Sequence, residues 1–155
     1  MKKRIALLLA TGFGLGLSPF ASGTVGTVLG VAIAVAMSGL GQLWQVGLAV
    51  ALVALAVPVC DAAEAIYGRK DDGRIVADEY LTFPLCVLWL PWVAHPWLLG
   101  LAFVTHRVLD IIKPPPARQL QAVKGGVGIV VDDLVSSLYA LAVNHAVWWL
   151  VQSEW

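Results

Sequence analysis

Three long stretches of this chain carry no charge, and they constrain its fold more than any other feature. No charged side chain occurs between Arg4 and Asp61, from Tyr80 to His106, or from Leu134 to Ser153. Runs of about 20 apolar residues are long enough to cross a bilayer core of roughly 30 Å. Strand signals are poor, and an open sheet cannot satisfy its edges in lipid, so the runs read as helices. The 59% hydrophobic content lies above the usual apolar share of soluble domains, as expected of a membrane protein, and with the runs read as helices the expected fold is all-α. It is a compact, membrane-embedded multi-helix bundle with its polar loops gathered at one end. Residues 1–155 allow a single domain and no separate catalytic module.

The formal charge is zero, yet almost every charge falls in two islands, 61–79 and 107–133. Residues 24–37 and 43–59 read as an antiparallel helix pair joined by a short polar loop at 38–42. Region 80–105 is broken by Pro84, Pro91 and Pro96, each of which removes a helical hydrogen bond. A single span there would scatter the cations to both sides. A hairpin turning at 91–96 instead puts all ten Lys and Arg residues on one side, which the positive-inside rule assigns to the cytoplasm. A last helix, from 132 to about 151, then recrosses. Trp44, Trp89, Trp92, Trp97, Trp148, Trp149 and Trp155 fall toward the uncharged side, as interfacial aromatics do. Lys2, Lys3 and Arg4 read as a cationic anchor on a membrane-surface segment; a cleaved signal peptide is the alternative, weakened by Gly12, Gly14 and Gly16. Cys60 and Cys86 read as small core hydrophobes.

The hairpin brings nine carboxylates to one surface: Asp61, Glu64, Asp71, Asp72, Asp78, Glu79, Asp110, Asp132 and Asp133. Crowded carboxylates repel and are costly near lipid. An oxygen-rich, sulfur-poor cluster suits a hard divalent ion such as Mg²⁺, which also bridges to phosphate. Asp78–Glu79 and Asp132–Asp133 are each expected to open a helix. N-capping would explain one such pair; two on one surface favour metal binding. Asp61 and Glu64 share a helix face, and Glu64 joins the candidate ligands. Asp110 and Lys113 lie on one face just before Pro114-Pro115-Pro116, pairing a carboxylate for metal with an ammonium for phosphate. Arg107 lies one turn back, within reach of the same phosphate. The amides of Gly125 and Gly126 are candidates for close approach to phosphate, with a flexible turn as the plainer reading. His106 is a minor acid–base candidate, while His95 and His145 read as packing residues.

Four blocks of this sequence, in order, resemble the phosphatidylglycerophosphatase A family. They are Gly12-Phe13-Gly14 through Ser18-Pro19-Phe20-Ala21-Ser22-Gly23-Thr24-Val25-Gly26; Lys70-Asp71-Asp72 with Ile75-Val76-Ala77-Asp78-Glu79; Arg107-x-x-Asp110-x-x-Lys113-Pro114-x-Pro116; and Gly125-Gly126-x-Gly128-Ile129-x-x-Asp132-Asp133. Ser22 replaces a usual proline, Thr82 a common glycine, and Ser136-Ser137 an Ala-Gly pair; every charged motif position is filled. The resemblance implies Mg²⁺-dependent hydrolysis of phosphatidylglycerophosphate to phosphatidylglycerol and phosphate by a multi-pass protein of the bacterial inner membrane, with its active site facing the cytoplasm. It implies Asp78, Glu79, Asp110, Asp132 and Asp133 as acidic site residues, with Lys113 and Arg107 beside them. Thr24 in the first block joins Arg107, Gly125 and Gly126 as substrate-binding candidates. The expected partners are this lipid and the membrane, with no nucleic acid and the oligomeric state left open. The rival readings are a small transport protein, which would place ionisable groups along a path within its spans, and a docking protein with a charged cytoplasmic face.

Overall fold

The structure is a computed structural model, and it describes residues 3–153; Lys2 and Trp155 lie outside them. Among the described residues there are seven α-helices and two 3-10 turns, and no strand. The helices are α1 (Lys3–Ala10), α2 (Ser22–Met37), α3 (Gln42–Tyr67), α4 (Ala77–Thr82), α5 (Trp97–Ile112), α6 (Ala117–Leu120) and α7 (Gly126–Ser153). Both α3 and α7 are long and apolar enough to cross a membrane. The pair α2 and α3 is joined through a tight turn at 38–41, as expected. However, α3 runs eight residues past position 59, because Pro58 is accommodated within it and the chain stops only at Gly68, whose φ of 66° supplies a left-handed C-cap.

The prolines of 80–105 do make a hairpin, with an unexpected first arm. It consists of α4 continued by a 3-10 turn, Phe83–Val87, which begins where Pro84 needs no donor. Eleven residues of this kind span roughly 17–20 Å, short of the roughly 30 Å a crossing needs. Leu81 to Leu88 are all buried, surrounded by α2, α3, α5 and α7. The arm is therefore a central post, and its irregular backbone is tolerated because protein, not lipid, encloses it. The chain turns back over 88–96 and leaves as α5.

Two core clusters stack along the post. Near the charged end Val59, Cys60, Val76, Tyr80, Leu81, Ile129 and Val130 pack together; near the other, Phe83, Cys86, Leu98, Ala102 and Ala140 do so. His95 and Trp97 meet Trp148 at the uncharged end, with ring centroids 4.7 and 6.3 Å apart respectively. Trp92 departs from the interfacial expectation: it is buried in the second cluster. Both cysteines are buried and free.

The start of α7 corrects a second expectation. The helix begins at Gly126, so Asp132 and Asp133 sit in its second turn and do not cap it. The reason lies in Gly126 and Gly128. A Cβ on Gly126 would fall 2.0 Å from the Val57 carbonyl oxygen, and one on Gly128 1.8 Å from that of Val123. These glycines let α7 press against α3 and against its own lead-in loop.

Candidate active site

The post presents its first turn, with Asp78 and Glu79, at the charged end of the bundle. Around it stand the last turns of α5, carrying Arg107 and Asp110, and the second turn of α7, carrying Asp132 and Asp133. Ile112 ends α5, and Lys113 takes a left-handed conformation (φ 51°) as its C-cap ahead of the prolines. That bend carries the ammonium across to Asp132, with which it is ion-paired, and not back to Asp110. Asp110 instead pairs with Arg107 at 2.7 Å, and the same guanidinium nitrogen reaches Glu79 at 3.4 Å. Arg107 thus ties the post to α5, while Lys113 ties α5 to α7.

These groups surround a cavity of about 280 Å³, lined by Asp78, Glu79, Asp110, Lys113 and Asp133 together with Ser22, Asp71, Gly73, Ile75 and Ile111. Six carboxyl groups, counting Asp132 behind Lys113, face only two cations. Four carboxylate oxygens (Asp78 Oδ1, Glu79 Oε2, Asp132 Oδ1 and Asp133 Oδ2) are buried without a hydrogen-bond partner among the described residues. Such atoms each carry a desolvation cost that a fold normally offsets. Burial above all, reinforced by Glu79 and other nearby acids, pushes the Asp78 carboxyl well above its usual range. Burial likewise raises Glu79 to about 8, although Arg107 opposes it.

Unpartnered hard oxygens from two elements fit a divalent cation. Among the described residues no three His, Cys, Asp or Glu side chains converge into a preformed metal cage. The acids are spread around the walls. That spacing suits Mg²⁺, which keeps several of its waters and touches few carboxylates directly.

The other candidates have different surroundings. Glu64 lies outside the cavity, where it accepts from the Asp71 amide at 3.5 Å. Asp61 accepts the Gly126 amide at 3.1 Å, so this amide holds α3 to α7 and is not offered to a phosphate. Gly125, with φ 75°, makes the turn into α7; neither glycine lines the cavity. Thr24 is half-buried in the first turn of α2, also off the cavity wall. His106 is fully buried behind the site, 3.4 Å from Ser137 Oγ.

Two polar residues of the wall were not among the site residues expected from the sequence, although Asp71 stood among its nine surface carboxylates. Ser22 donates to the Gly73 carbonyl oxygen at 2.6 Å, pinning the start of α2 to loop 68–76. Asp71 holds a left-handed conformation (φ 48°) in that loop and accepts from Gln121 at 2.8 Å. Asp71 did belong to a recognised block, and a strained non-glycine residue beside a site is a signal, but one visible only in three dimensions. Ser22 drew notice only as a departure from the family pattern.

An all-helical bundle with acids, one arginine and one lysine around a cavity at a helix-end surface is the arrangement the four blocks imply. The phosphatidylglycerophosphatase A profile matches residues 8–148. The chain belongs to the phosphatidylglycerophosphatase A family. Members of this phosphatase family from Escherichia coli and Haemophilus influenzae are each 34% identical to it. The first alignment covers 89% of this chain and 80% of the relative, the second 96% of both. A protein of Bacteroides thetaiotaomicron named as a putative phosphatidylinositol-3-phosphatase is 32% identical, over 95% of this chain and 96% of its own length. No solved structure matches. The chain is accordingly a phosphatase; of the acidic block residues, Asp71, Asp78, Glu79, Asp110 and Asp133 line the cavity, Asp132 pairs with Lys113 on its wall, and Asp72 pairs with Arg74 away from it.

Proposed function

We propose that this phosphatase hydrolyses the terminal phosphomonoester of phosphatidylglycerophosphate, releasing phosphatidylglycerol and inorganic phosphate, in a Mg²⁺-dependent reaction at the cytoplasmic face of the bacterial inner membrane. The observation that carries the reading is the set of four buried, unpartnered carboxylate oxygens beside Arg107 and Lys113. Asp78, Glu79, Asp132 and Asp133 would hold the ion, with Asp110 at its margin. Bound there, Mg²⁺ supplies Lewis-acid polarisation of the phosphoryl group and activation of water.

The remaining work falls to the chain's own groups. Arg107 already has one unpartnered buried nitrogen, Nε, and its guanidinium offers a planar fork to phosphoryl oxygens. Lys113 provides a compact positive charge on the same wall. Together they stabilise the negative charge that spreads over the equatorial oxygens during transfer. The short hydrophobic post keeps water from the underside of the site. Two helices able to cross a membrane, and cations collected at one end of the bundle, support the inner-membrane placement, the multi-pass topology and the cytoplasmic orientation.

The test is phosphate release from phosphatidylglycerophosphate by detergent-purified protein, with Mg²⁺ or with chelator, alongside Asp132→Asn. Release that needs both Mg²⁺ and Asp132 is the expected result; unchanged turnover in Asp132→Asn sinks the metal-site assignment. The Bacteroides relative carries a name for a different headgroup on the same kind of bond, a phospholipid phosphomonoester. Running phosphatidylinositol 3-phosphate in parallel decides between the two: faster release from the inositol lipid would overturn the glycerophosphate assignment.

A further inference from the structure

Exposed apolar side chains stand on the two segments that flank the cavity: Ile111 lines it, and Phe20 lies two residues ahead of Ser22 on its wall. Phe20 is 81% exposed, and its position is enforced. Ser18 Oγ donates to the Phe20 carbonyl at 2.8 Å, Ala21 turns the chain through a left-handed conformation (φ 44°), and Ser22 is pinned to Gly73 on the cavity wall. On α5, Ile111 lines the cavity and is 70% exposed, and Ile112 follows at 66%. Val104 and Val108, also exposed, precede them at spacings of three, four, seven and eight residues. Such spacing places all four on one face of the helix, forming a stripe that climbs to the cavity.

The first turn of α2 and the last turns of α5 are neighbours. A Cβ on Gly23 would lie 2.0 Å from Glu79 Oε1 and 2.9 Å from Arg107 Nη2, so α2 begins directly on the ion pair that edges the site. Charged groups therefore occupy the cavity, and bare hydrocarbon occupies its lip and the slope below. A ligand that satisfies both has an anionic head and an apolar body.

We propose that Phe20 and the Val104–Val108–Ile111–Ile112 stripe bind the acyl–glycerol part of the phospholipid whose phosphate enters the cavity, so that the substrate is taken from the bilayer along α5. This rests on the phosphatase reading above, and the experiment separates the two. Phosphate release is measured from dioleoyl phosphatidylglycerophosphate in mixed micelles and from its deacylated, water-soluble analogue, for the wild type, Phe20→Ser and Ile112→Ser. With the dioleoyl lipid, each variant should raise the apparent KM about tenfold and leave kcat within about twofold, as expected for lost apolar contact of this size. The deacylated analogue, which lacks the chains the rim would hold, should be hydrolysed by each variant nearly as by the wild type. Equal losses on both substrates would mean that the rim only supports the fold, and no loss on either would mean that it meets bulk lipid; both overturn the proposal.

If the wild type hydrolyses neither substrate, the functional reading fails and the substrate assignment with it, and a second measurement tests the lipid-facing placement that the rim requires. A spin label on Phe20→Cys can be placed selectively, because Cys60 and Cys86 are buried. In phospholipid vesicles it should be relaxed by oxygen and protected from a water-soluble nickel complex. Relaxation by the nickel complex alone would place Phe20 in water, and protection from both agents would place it against a second copy of the chain. Either outcome removes the lipid contact.

Discussion

Asp132 and Asp133 are neighbours in sequence with opposite obligations. Each has a buried oxygen with no partner, but Asp132 also has an ion pair with Lys113, whereas among the described residues Asp133 has none. Removing one charge from a crowded acidic set relieves repulsion even as it removes a ligand. Asp133→Asn should therefore lose activity by about 10²-fold or more, the scale on which single electrostatic groups in active sites act. Its melting temperature in chelator should equal or exceed that of the wild type. Phosphate release and thermal unfolding of the same preparation check both halves, and a variant that loses activity only because it melts early would contradict the expectation. Much of this was legible beforehand, since acids at 78, 79, 110, 132 and 133 stood out as a set. Their pairing was not, because the left-handed backbone at Lys113 sends its ammonium to α7 and away from its helical neighbour Asp110.

At the scale of elements, two joints hold the site together. In the first, loop 68–76 is braced by Asp72, which accepts from the Arg74 backbone amide at 3.1 Å and from its guanidinium at 2.7 and 3.0 Å. Arg74 in turn lies 3.8 Å over the Tyr67 ring. Hydrogen bonding from Arg74 holds the Asp72 carboxyl below its usual range. The folded protein thus stays deprotonated where the unfolded chain would bind a proton. The stabilisation is complete above the unfolded value of about 3.9 and is lost as pH falls through the lower folded value. Asp72→Asn should melt below the wild type at pH 7, and the two curves should converge as pH falls below that window. The second joint is the contact of α7 with α3. Gly126→Ala should destabilise by about 1–3 kcal/mol, the usual penalty for overpacking, because its Cβ would meet the Val57 backbone. Chemical or thermal unfolding in detergent measures it, and a neutral result would show that α7 can shift without cost. The sequence marked this glycine run as special but could not say why. A glycine needed for phosphate approach and a glycine needed for helix approach look alike until the neighbouring helix is in place.

At the scale of the whole molecule, the bundle places nearly all its charge at one end and encloses a short helical post that supports the acids. If a divalent ion binds the folded site and not the unfolded chain, it must stabilise the fold by mass action, by about 2.7 kcal/mol at a hundred times its Kd. Millimolar Mg²⁺ should raise the wild-type melting temperature relative to chelator and do so far less in Asp78→Asn. Equal shifts in both proteins would place the ion elsewhere. The helical class, the gathering of charge at one end, the hairpin and the acidic set all follow from the sequence alone. Apolar length, proline positions and charge spacing are properties of the chain that hold in any arrangement compatible with lipid. Three things were decided only by tertiary structure: that the first hairpin arm is a buried post, that Ser22 and Asp71 reach the cavity wall, and that Gly126 serves packing. Each depends on which distant backbone comes within a few ångströms, and that is set by the closing of helices on one another, which local pattern does not encode.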